Sequence, residues 1–281
     1  MRETPRPQGT VGDTRAEPPQ PRPGRAFAHT PGAHGPGTPH RSDGRTPHTP
    51  RGGRRPGPLG RLGTTPPVPR RPPLFLLLCA LAFALLTWQV VAGGPLRRAD
   101  ERAGRAVAEG GFPGRAAEFL ADLGNPPVAV PVLVAVLAYV TWRGRRAGTF
   151  RWWLPAVAAA VAMAAVPALV VPLKAAVDRP GPPGMAGHDG FYPSGHTATA
   201  AVAYGAAVLL LLPLLRGAYR RRGLLIGCAV LNVAVGFGLV RRGYHWPLDV
   251  VASWLLCGMV LHVMVAVVGR YGGERDEADG A

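Results

Sequence analysis

Leu74 to Ala92 reads LFLLLCALAFALLTWQVVA, a run without one charged side chain. At the helical rise this stretch reaches about 28 Å, close to the hydrocarbon thickness of a bilayer. Its apolar region is longer than that of a secretory signal, so the run is read as a first transmembrane helix. Five more apolar runs follow: Pro127 to Trp142, Trp152 to about Ala176, Ser194 to Leu215, Leu224 to Val240 and Pro247 to Val268. Pro155, Pro167 and Pro172 are expected to kink the third, and Pro247 suits the first turn of the sixth. Hydrophobic residues make up 47% and charged residues 17% of the 281-residue chain. A soluble domain would interleave the two kinds, whereas here they are segregated. The expected fold is therefore all-α, an integral membrane bundle of six transmembrane helices spanning 74–270.

Residues 1–73 are different in kind. Rich in Pro, Gly, Thr and Arg, they carry thirteen Arg against four acids up to Arg71. They are read as a disordered, solvated cytoplasmic tail that buries too little surface to fold, with no nucleic-acid partner expected. Residues 271–281 are read as a short polar tail. Residues 93–126 hold five Arg and five acids, the mark of a polar-faced helix and loop outside the membrane, stopping at Leu123-Gly124-Asn125-Pro126. Cys79, Cys228 and Cys257 each sit within an apolar run, at no metal-like spacing, and are read as small buried hydrophobes.

Six spans put both termini on one side. The segment before the first span and the loops 143–151 and 216–222 carry arginine in excess of acid, or without any. By the positive-inside rule they face the cytoplasm, which leaves 93–126, 176–193 and 241–246 outside.

Those outward segments hold the chemistry. The single Lys of the chain, Lys174, stands against 31 Arg. Alone it fits a snorkelling residue as well as a site that needs a compact ammonium. Around it stand Lys174-Ala-Ala-Val-Asp-Arg179-Pro180, Tyr192-Pro193-Ser194-Gly195-His196-Thr197 and Arg241-Arg242-Gly243-Tyr244-His245-Trp246-Pro247-Leu248-Asp249. Ionisable groups at membrane depth are costly and point to function. Lys174 and Arg179 can neutralise a phosphate, and Ser194 and the Gly195 N–H can donate to its oxygens near a helix N-terminus. Two His supply a nucleophile and an acid, and Asp249, four residues beyond His245, is close enough to fix its tautomer.

The set resembles the type 2 phosphatidic acid phosphatase superfamily, with its motifs K-x6-R-P, P-S-G-H and S-R-x5-H-x3-D. The resemblance covers roughly residues 74–268. It implies that His245 attacks phosphorus, that Asp249 orients it, and that His196 protonates the leaving oxygen and then activates water. It implies that Lys174, Ser194 and Gly195 hold the phosphoryl oxygens, and it implies neither metal nor other cofactor. The implied substrate is a membrane lipid phosphate: phosphatidic acid, phosphatidylglycerol phosphate or a polyprenyl pyrophosphate. Two of the motifs depart from the pattern. Gly181 stands where the first motif has Arg, and Gly238-Leu239 stand where the third has Ser-Arg. Arg179 and Arg242 are the expected replacements, the latter one turn beyond Leu239 on the same helical face. The departures also admit an impaired member that only binds lipid phosphate. A lipid-linked phosphotransferase is a further alternative, as is a transporter or scaffold, although charges gathered at one face argue against transport. His188 and Asp189 are expected to be solvated loop residues. His262 is expected to be hydrogen-bonded between helices, and Trp152, Trp153 and Trp246 to be interfacial anchors.

Overall fold

The computed structural model describes residues 72–185, 187 and 189–272. The expected tail up to Arg71, His188 and residues 273–281 lie outside the described residues. All described residues lie within Thr65–Ala281.

The described residues form eight α-helices and no strand: α1 (Pro72–Val91), α2 (Pro95–Glu109), α3 (Gly114–Asp122), α4 (Pro126–Arg146), α5 (Leu154–Val177), α6 (Gly195–Leu211), α7 (Ala218–Arg241) and α8 (Pro247–Gly272). Six of them, α1 and α4 to α8, are long and apolar enough to cross a membrane. The expected six-span all-α bundle is the observed fold. The polar stretch after the first span resolves into two amphipathic helices, α2 and α3, the latter ending at Asp122.

Chain direction alternates through the spans, so the start of α4, α6 and α8 meets the end of α1, α5 and α7 at one end of the bundle. The opposite end carries Arg143, Arg145, Arg146, Arg216, Arg220, Arg221, Arg222 and Arg270. Helix α6 is the central element and packs on α4, α5, α7 and α8. Its sequence, GHTATAAVAYGAAVLLL, is rich in small residues, which lets four neighbours approach closely where lipid provides no hydrophobic drive. Around it lie Leu133, Val166, Val170, Val235 and Leu239.

The internal prolines are absorbed within continuous helices: Pro167 and Pro172 lie inside α5 and Pro155 in its first turn. Helix α3 lies on α7, and Gly238 is where they touch. A Cβ at 238 would stand 2.6 Å from both the Ala117 carbonyl oxygen and the Ala121 nitrogen, so a side chain there would force the two backbones apart. Cys257 is buried, Cys79 and Cys228 are half-buried, and all three are free thiols. His262 differs from expectation: its ring sits 5.1 Å from that of Phe75 on α1, and its buried Nε2 has no protein partner.

Candidate active site

At the His245 end of the bundle, the three motifs converge. His245 sits in the tight connection between α7 and α8, 6% exposed. Asp249, fully buried in the first turn of α8, reaches back one turn, its Oδ2 standing 3.2 Å from His245 Nδ1. The same oxygen accepts from the Trp246 N–H at 3.0 Å. The four-residue spacing is what brings the carboxylate under the ring. With the proton on Nδ1 facing Asp249, the lone pair of Nε2 is left free.

The second motif supplies the facing wall. Ser194 caps α6, its Oγ accepting from the Thr197 N–H at 3.3 Å, and its own N–H donates to the Asp249 carbonyl at 3.1 Å. Ser253 Oγ donates to the Ser194 carbonyl at 2.8 Å. These bonds fasten the start of α6 to the first turn of α8, which sets His196 opposite His245. Gly195, His196 and His245 all border one cavity of about 970 Å³. Lys174, in the last turn of α5, borders it too, and its Nζ donates to the Gly190 carbonyl at 2.6 Å.

That cavity is polar at one end only. Lys174, Asp189, His196 and His245 gather there, while the remainder is walled by Val130, Val134 and Leu137 of α4 and Met163, Pro167 and Val171 of α5. From Lys174 to Ala160 the cleft follows α5 for about 21 Å at the helical rise. It is an apolar slot with its charged groups at the mouth. Asp189, expected as a solvated loop residue, is part of that mouth.

The two arginines expected as replacements have different surroundings. Arg179, 1% exposed, donates from Nη1 to Asp249 Oδ1 at 2.6 Å and from Nη2 to Asp100 Oδ2 at 2.5 Å. Its Nε has no partner. Arg242 caps the end of α7 and pairs through Nε with Glu118 of α3, both side chains more than one-third exposed. Tyr244 OH donates to the same carboxylate, 2.9 Å from its Oε2. Arg241 donates to the Phe112 and Ala108 carbonyls. Lys174, Ser194, Gly195, His196, His245 and Asp249 are thus brought together, with Arg179 behind them and Arg242 on the rim.

At Gly181 the space is filled by an apolar ring. A Cβ at Gly181 would stand 2.6 Å from the Phe191 ring, and that ring packs edge-on to His245 at 5.6 Å. Leu239 is 1% exposed, in the core beneath α3. Among the described residues no three His, Cys, Asp or Glu side chains are arranged to hold a metal ion.

Asp100 escaped sequence reasoning. It is one of five acids in a segment with five Arg, and nothing local marks which acid turns inward. Its Oδ1 accepts the Leu248 N–H of α8 at 2.7 Å. Burial pushes its carboxyl above the ordinary aspartate range, while Arg179 and the Leu248 N–H pull it down. Tyr192, whose OH lies 2.9 Å from Thr87 Oγ1, has its phenol pushed up to about 12 by burial.

Fold and site together define a multi-pass helical membrane protein whose His–Asp pair, second His and lone Lys surround the mouth of an apolar cleft. The model of the PAP2 superfamily matches residues 155–272. That stretch holds all three motifs, and over it the chain is similar to PAP2-superfamily proteins. A crystal structure of a transmembrane PAP2-type phosphatidylglycerolphosphate phosphatase from Bacillus subtilis shares the fold. Its TM-score is 0.61 at 20% identity, covering 71% of this chain and 98% of that one. No curated protein matches the chain in sequence.

Proposed function

We propose that this protein is a lipid phosphate phosphatase that works through a phosphohistidine at His245. The observation that carries the reading is the joining of the His245–Asp249 pair to an apolar cleft of about 970 Å³ with Lys174 and His196 at its mouth. A water-soluble phosphate ester has no use for such a cleft, whereas an acyl or prenyl chain fills it and leaves its phosphate at the charged end. The PAP2 match and the phosphatase whose fold it shares support the same reading.

The Nε2 lone pair of His245 attacks phosphorus. The bond from phosphorus to the lipid oxygen breaks, its electron pair stays on that oxygen, and His196 supplies the proton. Positive charge develops on the His245 ring and is met by Asp249. A water oxygen then bonds to phosphorus as His196 takes its proton, and the P–N pair returns to Nε2. Lys174 and the N–H groups at the start of α6 face the phosphoryl oxygens, where charge accumulates in each transition state. Arginine lies in excess of acid at the opposite end of the bundle, which supports a site on the extracytoplasmic face of the plasma membrane.

The test is phosphate release by purified protein against phosphatidic acid, phosphatidylglycerol phosphate and a polyprenyl pyrophosphate. Turnover of at least one is expected, lost in His245→Ala. For the orientation, a cysteine placed at Asp189 in a Cys-free background is expected to react with an impermeant reagent in intact cells. Labelling only after lysis would reverse the topology.

A second reading is favoured by the two apolar positions, Gly181 under Phe191 and the buried Leu239. In it the protein binds lipid phosphate without turning it over. Saturable binding of phosphatidic acid vesicles with no phosphate released from any of the three lipids would select it.

A further inference from the structure

The His245–Asp249 pair is the end of a longer chain of charges. Asp100 Oδ2 meets Arg179 Nη2 at 2.5 Å, Arg179 Nη1 meets Asp249 Oδ1 at 2.6 Å, and Asp249 Oδ2 meets His245 Nδ1 at 3.2 Å. Three of the four side chains are no more than 2% exposed, and that of His245 is 7% exposed. Each member comes from a different part of the fold: helix α2, the loop after α5, the first turn of α8 and the α7–α8 connection.

A purely structural tie is a poor explanation for this arrangement. Burying two carboxylates and a guanidinium costs more desolvation than packing α2 with apolar side chains would. The electrostatics of phosphoryl transfer supply a better one. Arg179 keeps its charge in any protein environment. Left alone with Asp249, it would cancel the carboxylate that must stabilise a cationic His245 ring. Asp100 cancels Arg179 in turn, so the three groups behind the ring carry one net negative charge in place of none.

We infer that Asp100 is a positioning residue of the reaction: through Arg179 it leaves Asp249 free to polarise His245, and through the Leu248 N–H it fixes the turn of α8 that aims Asp249. This inference rests on His245 being the nucleophile.

Other charges face His245 and stay constant in the comparison below. Lys174 of α5, Asp189 of the following loop and His196 of α6 share its largest cavity. Glu118 and Asp122 of α3 border it on a second side. Arg105 and Glu109 of α2, with Arg241 and Arg242 at the end of α7, border it on a third.

The experiment uses the full chain in phosphatidylcholine nanodiscs and two readouts. The first is the pH dependence of diethyl pyrocarbonate modification at residue 245, followed by mass spectrometry, which needs no substrate. The second is phosphate release from dioctanoyl phosphatidic acid. Asp100→Asn is expected to move the modification midpoint down by about one pH unit, a tenfold change in the protonation equilibrium. In it kcat should fall about 10- to 100-fold, the range of an acid–base contribution, with KM little changed. Arg179→Met should move the midpoint up. The double variant carries the wild-type net charge and should return it to its original place. Should Asp100→Asn fail to fold, Arg179→Met and the double variant read the same linkage. A midpoint that stays fixed in the single variants, or additive losses in the double, would overturn the inference. Wild-type protein that releases no phosphate while the midpoints still move overturns the phosphatase reading and leaves the charge chain standing.

Discussion

Arg179 and Arg242 flank the same histidine, and the molecule treats them in opposite ways. Arg179 is sealed between Asp100 and Asp249 behind the ring of His245. Arg242 stands on the rim with Glu118 and Tyr244, half in solvent. A guanidinium held by two buried carboxylates is not available to a phosphate and acts on its neighbours. One in an exposed pair is available but contributes little to stability. Proximity to a motif in the sequence says nothing about which of these fates an arginine meets.

The sharpest test of that contrast lies on its buried side. Asp249→Asn keeps the shape of the site and removes the charge that His245 leans on. It should lower kcat by about 10⁴-fold, the scale seen when an orienting carboxylate of a catalytic His is neutralised. Steady-state rates on a lipid phosphate decide it, and a fall under tenfold would break the contrast. Lys174→Met comes next. Among the described residues Lys174 is the one Lys or Arg side chain that borders the cleft, so its loss should cost about 10²–10³-fold in kcat/KM, the range for one oxyanion donor. A change in KM alone would make it an anchor for the lipid.

On the rim, Arg242→Ala should change kcat/KM by less than about threefold, since an exposed ion pair is worth roughly 0–1 kcal/mol. A fall of about 10²–10³-fold would mean that the Glu118 pair opens when substrate enters and that Arg242 supplies the guanidinium missing at Leu239. The smallest effect is in pH. The Tyr244 hydroxyl, helped by Arg242, holds the Glu118 carboxyl below the usual glutamate range. A depressed folded-state value means that stabilisation is present above the ordinary value and lost as pH falls through the folded one. The Tm of wild-type protein should therefore drop slightly more than that of Glu118→Gln between pH 5 and about pH 3.

The spans were legible because each apolar run is continuous and, Lys174 and Asp249 apart, uncharged, and α1 and α8 begin and end within a few residues of the reading. His245 and Asp249 were legible because their pairing needs only the four-residue spacing of a helical turn. What escaped depends on contacts between distant segments. Asp100 is one acid among five until α2 folds onto α8. The fate of Arg242 depends on α3, which Gly238 admits so closely that Glu118 comes within reach of the rim. The filling of the space above Gly181 by Phe191 likewise needs the loop closed.

The central claim is that His245 carries the phosphoryl group, and it can be read directly. Rapid alkaline quenching of wild-type protein during turnover of a lipid phosphate, followed by peptide mass spectrometry, should find phosphate on residue 245. That adduct should survive base, be lost in acid, and be absent from His245→Ala. Phosphate on Ser194, or no adduct in a protein that turns over, would contradict it.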